Sequence, residues 1–150
     1  MNNNYNLSKS ITFNNDIIFI DGLWGCGKSM ISPIVSGMYM VEKVKIEEIF
    51  EYLGFLLSLN KITEDAAQTL IQIYVDKTLF YSLLGREVNF RIFDDTGIFR
   101  NPYPYRYIKR LFKKDIQIND KLNYKKALCI MGHMNIFNFN LLENSIGNKL

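Results

Sequence analysis

An α/β fold built on a parallel sheet is the class this sequence predicts, and three observations predict it. The apolar run Ile17-Ile-Phe-Ile20 does not alternate with polar residues, as expected of a strand covered on both faces. A glycine-rich turn follows it directly and leads into a helical stretch, Lys28 to Met38. A second buried-strand run, Ala127-Leu-Cys-Ile-Met131, ends on Gly132-His133.

The 150 residues suffice for one domain with a sizeable core and are too few for two ordinary ones. Hydrophobic residues make up 48% of the chain, with 14% aromatic, 22% charged and 3 prolines, which excludes a disordered chain. A net charge of +3 suits anionic small molecules and falls short of the excess that nucleic-acid binding uses, so no nucleic-acid partner is expected. Cys26 and Cys129 form neither a CxxC pair nor a zinc cluster. The polar N-terminus is unlike a signal peptide and no apolar stretch is long enough to span a membrane, so a cytoplasmic location is expected.

Taken in order, residues 1–15 are polar and Asn-rich and read as a flexible arm, with one domain over 16–150. The first strand covers Asp16 to Asp21, and the helix after the glycine turn tolerates Pro33 near its first turns. Ile46, Ile49, Phe50, Leu53, Leu56 and Leu57 recur with helical spacing, which predicts a second helix over 45–59. Thr63, followed by Glu64 and Asp65, caps a third that runs to about Leu84 and ends at Gly85. Residues 86–102 read as a long loop with a short strand near Val88 to Phe93. A basic helix over 105–113, the strand ending at His133 and a final helix over 135–144 complete the chain. Two well-marked strands and one short one are few for a doubly wound sheet, and the terminal Gly147-Asn-Lys-Leu150 reads as a helix exit. The sheet is therefore expected to be incomplete at the C-terminus, and the chain to be a piece of a longer protein.

Gly22-Leu-Trp-Gly-Cys-Gly27-Lys28-Ser29 fits the P-loop pattern GxxxxGK[ST], which makes the expected architecture a P-loop three-layer fold. Glycines let the backbone curl around phosphates with its N–H groups pointing inward, and the helix that follows favours negative charge at its N-terminus. Gly22, Trp24, Gly25, Cys26, Gly27, Lys28 and Ser29 are the candidate phosphate-binding residues. Lys28 would place a cation on the terminal phosphates, and Ser29 a hydroxyl on Mg²⁺. Trp24 either stacks on a base or sugar or packs on its own scaffold. The motif names a bound nucleotide and leaves the reaction open.

Phe19 to Ile34, Gly85-Arg-Glu-Val-Asn-Phe-Arg91, Tyr107-Ile-Lys-Arg-Leu-Phe112 and Met131-Gly-His133 together resemble a bacterial group of sulfotransferase-like P-loop proteins. That resemblance implies 3′-phosphoadenosine 5′-phosphosulfate as the donor, a small-molecule or saccharide acceptor, and His133 as the catalytic base. Two features depart from it: Lys28 directly before Ser29 makes a nucleoside-triphosphate loop that favours ATP or GTP, and the Arg-x-Pro-type 3′-phosphate motif would follow Leu150. Arg100-Asn-Pro102 has similar letters but precedes His133. The loop is also similar to that of KAP-type P-loop NTPases, without their membrane segments.

His133 is the only histidine, at a strand end, where open α/β sheets place catalytic groups; a structural role is the alternative. Asp94, with Asp95 beside it, either assists Mg²⁺ through water, as a Walker B acid does, or serves a turn. Arg106, Lys109, Arg110 and Lys113 form one basic face, either solvated or clamping an anion, with Arg86 and Arg91 as alternatives in the preceding loop. The resulting expectation is a sulfuryl-transferring enzyme with His133 and Lys28 as catalytic residues. An ATP-dependent kinase or NTPase, and a nucleotide-binding module without turnover, are its alternatives.

Overall fold

The computed structural model describes residues 6–9, 14–112 and 126–147. Most of the expected N-terminal arm, Lys113 and residues 148–150 lie outside the described residues. The chain is α/β, in the order β1 (Ile17–Ile20), α1 (Lys28–Gly37), β2 (Lys45–Ile46), α2 (Ile49–Ser58), α3 (Glu64–Leu83), α4 (Tyr105–Ile108), β3 (Leu128–Met131) and α5 (Phe139–Ile146). Among the described residues the three strands form one parallel sheet in the order β1-β3-β2. The late strand β3 is inserted between the two early ones, pairing Ile17 with Leu128 and Ile20 with Met131 on one side and Lys45 with Ile130 on the other.

Alternation along the strands divides the core. Ile17, Leu128 and Ile130 pack with Phe50 and Leu53 of α2, Ala67, Ile71, Val75 and Leu79 of α3, and Leu141, Leu142 and Ile146 of α5. Ile20, Cys129 and Met131 pack with Val41, Val44 and half-buried Val35 of α1. All four residues of β3 are buried, which is why this strand reads as a continuous apolar run. On α1 the usual arrangement is inverted: Ser32 and Ser36 are buried, while Met30, Ile31, Ile34 and Met38 are exposed. Pro33 lacks an N–H for the carbonyl one turn back, within the second turn of the helix. α3 begins after Thr63 as expected, although the Thr63 side chain makes no capping bond, and it ends at Gly85 with φ 70°.

Four expectations are corrected. The second helix does not start at Lys45; Lys45 and Ile46 form β2, because their backbone pairs with Ile130 and Met131, and the helix begins at Ile49. The apolar spacing of Ile46 matches a helix, but the sheet's hydrogen bonds decide the conformation. The short strand at 88–93 is a single bridge between Asn89 and Gly97, within a loop that turns at Asp94. The basic helix is one α turn, α4, followed by a 3-10 turn at Lys109–Phe112, since so short a helix has little stability of its own and its end tightens. The last helix starts with a 3-10 turn at Asn135–Asn138 and extends to Ile146, beyond Asn144.

Candidate functional site

Parallel pairing places the carboxyl ends of β1 and β3 side by side. Ile20 is in register with Met131, and the Gly132 N–H donates to the Ile20 carbonyl at 3.1 Å. Asp21-Gly22 and Gly132-His133 therefore leave the sheet together, where open parallel sheets bind ligands.

Loop 22–29 is shaped by its glycines. Gly22 has φ 148°, and a Cβ there would lie 2.7 Å from the Cys26 sulfur, so a side chain is excluded twice over. Gly27 is in the left-handed region and turns the chain into α1 at Lys28. The backbone N–H groups of Trp24, Gly25, Gly27, Lys28 and Ser29 make no hydrogen bond among the described residues. These orphan donors sit at a helix start, where anions are favoured. Lys28 is buried; its ammonium donates to the carbonyl of Gly22 and to that of Leu23 at 2.8 Å, and lies 3.8 Å from the Cys26 sulfur. Ser29 is exposed at the mouth of the loop.

His133 meets this loop directly. The Trp24 ring stacks on the imidazole with centroids 4.0 Å apart and planes 15° apart. Trp24 is 75% exposed and His133 9%, so the indole covers the histidine from the solvent side. Glu51 of α2 holds the other side. Its Oε1 accepts from the His133 backbone N–H at 2.5 Å and lies 3.6 Å from the imidazole Nδ1. Asp21 Oδ2 accepts from the Ile136 N–H at 2.7 Å, tying the end of β1 to the turn after His133. The Asp21 Oδ1 and both side-chain polar atoms of Asn135 are buried with no hydrogen-bond partner among the described residues.

The remaining candidates lie elsewhere. Asp94 Oδ1 accepts from the backbone N–H and hydroxyl of Thr96 at 2.8 and 2.7 Å, and these bonds hold its carboxyl below the ordinary range. That is the turn geometry weighed against a Mg²⁺ role, and no hydrogen bond joins Asp94 to Ser29 among the described residues. Arg110 pairs with buried Glu42 at 2.7 Å, and the Glu42 N–H donates to the Ala127 carbonyl at the amino end of β3, opposite loop 22–29. Arg86 lies over the Tyr81 ring and Arg106 over the Tyr103 ring, while Arg91 is exposed in the loop. The structure thus brings His133 to Trp24 and to the lysine loop, and among the described residues it joins Arg86, Arg91, Arg106 and Arg110 to no carboxylate of that loop.

Glu51, Asp21 and Asn135 escape a reading of the sequence. Glu51 falls on the polar side of an amphipathic helix, where a carboxylate is ordinarily solvated. The signal for Asp21 is its place, a carboxylate immediately after an apolar strand and before a glycine turn.

Among the described residues no three His, Cys, Asp or Glu gather as metal ligands, and no helix is long and apolar enough to cross a membrane. Comparison with known proteins finds no matching family model, no matching curated protein and no matching solved structure.

Proposed function

We propose that the chain binds a nucleotide through its phosphates at loop 22–29 and transfers a sulfuryl or phosphoryl group to an acceptor deprotonated by His133. The observation that carries this reading is the stack of Trp24 on His133, which joins an anion-binding loop to a potential base. The parallel order β1-β3-β2, with apolar clusters on both sides of the sheet, is compatible with the P-loop three-layer fold and with the sulfotransferase-like resemblance. Free N–H groups and Lys28 would hold the donor's phosphates, as charge-assisted bonds do. The His133 Nε2 would take the acceptor proton, and the Glu51 carboxylate, 3.6 Å from Nδ1, would favour the imidazolium that forms.

Lys28 directly before the exposed Ser29 favours a second reading, phosphoryl transfer from Mg·ATP by a kinase or NTPase. A donor assay on the full chain separates the two. Transfer from 3′-phosphoadenosine 5′-phosphosulfate with no ATP turnover supports sulfuryl transfer, and Mg²⁺-dependent ATP turnover supports the other. Saturable binding without turnover of either donor reduces the chain to a nucleotide-binding module.

Glu51 is the positioning residue in this scheme. Glu51→Gln keeps an acceptor for the His133 backbone N–H and removes the charge beside Nδ1. Turnover is expected to fall about tenfold with donor KM unchanged and with a displaced pH profile. A pH profile identical to that of the parent, at whatever rate, would leave Glu51 with a structural role alone.

A further inference from the structure

A polar cavity of about 160 Å³ opens beside β2 and is lined in part by Lys43, Lys45, Glu47, Glu87, Asn89 and Thr96. Both lysines are buried, at 5% and 7% exposure, and buried ammonium groups ordinarily require partners. Lys45 pairs with Glu87 at 2.7 Å, whereas Lys43 donates to the neutral Thr96 carbonyl at 2.9 Å. Burial and the adjacent Lys45 push the Lys43 ammonium down to about 8, and burial raises the Glu47 carboxyl. Two carboxylates, Glu47 and Glu87, line the cavity with the two lysines, and Glu87 is the one within hydrogen-bond distance of a lysine ammonium, that of Lys45.

Glu87 is the exposed partner in this cavity. It is a non-glycine residue at φ 56°, a conformation L side chains rarely adopt, and its side chain is 43% exposed while it sits on a buried lysine.

We infer that this cavity is an anion subsite, in which the carboxylate or phosphate of a small acidic ligand replaces Glu87 between Lys43 and Lys45. The volume matches about five waters at roughly 30 Å³ each and is below the roughly 300 Å³ of a whole-ligand pocket, so it takes an acidic end group. Its position gives the ligand a role. The Glu47 N–H donates to the Met131 carbonyl, immediately before Gly132-His133, so the Glu47 end of the cavity lies at the carboxyl edge that also carries loop 22–29, while Lys43, next to Glu42, lies toward the opposite edge. Strands spaced by about 4.8 Å put the ends of β1 and β2 about 10 Å apart across β3. Resting on the transfer reading above, the ligand is the acceptor, and that acceptor is acidic.

Binding is tested without any donor, by titrating the full chain with inorganic phosphate. Glu87→Gln is expected to bind phosphate about tenfold more tightly than the parent, because the internal competitor loses its charge. Glu87→Gly, which also relaxes the positive-φ backbone, should show the same gain. Adding Lys45→Met should abolish it, and adding Lys28→Ala should leave it. Absence of the gain in both Glu87 variants, its survival in Lys45→Met, or its loss with Lys28→Ala would each overturn the subsite. Nucleotide binding insensitive to Lys28→Ala would overturn the loop assignment instead, and would leave a Lys45-dependent phosphate site standing.

Discussion

Lys28→Ala should weaken nucleotide binding by about 10- to 100-fold, the equivalent of one charge-assisted hydrogen bond of about 1.5–3 kcal/mol. Lys28 supplies the side-chain cation of loop 22–29, and its ammonium is already gathered among the Gly22 and Leu23 carbonyls and the Cys26 sulfur at the start of α1. The backbone donors of Trp24, Gly25, Gly27 and Ser29 remain in the variant, so residual binding is expected. Gly22 and Gly27 keep the loop's shape, and the variant should retain a cooperative thermal transition. Titration calorimetry with Mg·ATP and with 3′-phosphoadenosine 5′-phosphosulfate reads the effect. Unchanged affinity for both nucleotides in a folded variant would remove loop 22–29 from the function.

His133→Ala should lower turnover by about 10²- to 10⁴-fold, the usual contribution of a positioned general base, with nucleotide affinity nearly unchanged. The two effects separate because the imidazole faces Trp24 and Glu51, whereas the phosphate-binding donors belong to the loop backbone. Losing the stack should cost no more than an aromatic pair contributes, about 0.5–1.5 kcal/mol. Turnover and thermal stability measured together check this. If activity falls only in proportion to the folded fraction, His133 is a core residue.

The parts of the fold legible in the sequence are those whose signal is local. Ile17–Ile20 and Leu128–Met131 announce buried parallel strands by apolar continuity, and Gly22 to Gly27 announce the turn by the φ values only glycine takes readily. β2 was hidden because two residues carry no period; it exists through pairing with Ile130 and Met131, more than eighty residues away. Arg110 belongs to a basic helix face on spacing alone, and only the fold shows it spent on Glu42. The site divides in the same way. Loop 22–29 is legible because its pattern is contiguous, whereas the meeting of Trp24, His133 and Glu51 depends on β3 lying between β1 and β2. The alternatives for Trp24 were a ligand base or its own scaffold, and the structure stacks it on the imidazole while leaving it 75% exposed.

The most direct test of nucleotide binding beside His133 is the emission of Trp24, the chain's single tryptophan, during titration with Mg·ATP and with 3′-phosphoadenosine 5′-phosphosulfate. Phosphates entering loop 22–29 would rearrange the segment that holds the indole on the imidazole. The expected result is a saturable change in emission with at least one donor, shifted to higher concentration by Lys28→Ala and altered in amplitude by His133→Ala. Emission unchanged by either nucleotide, with no heat of binding in the same samples, would contradict the account.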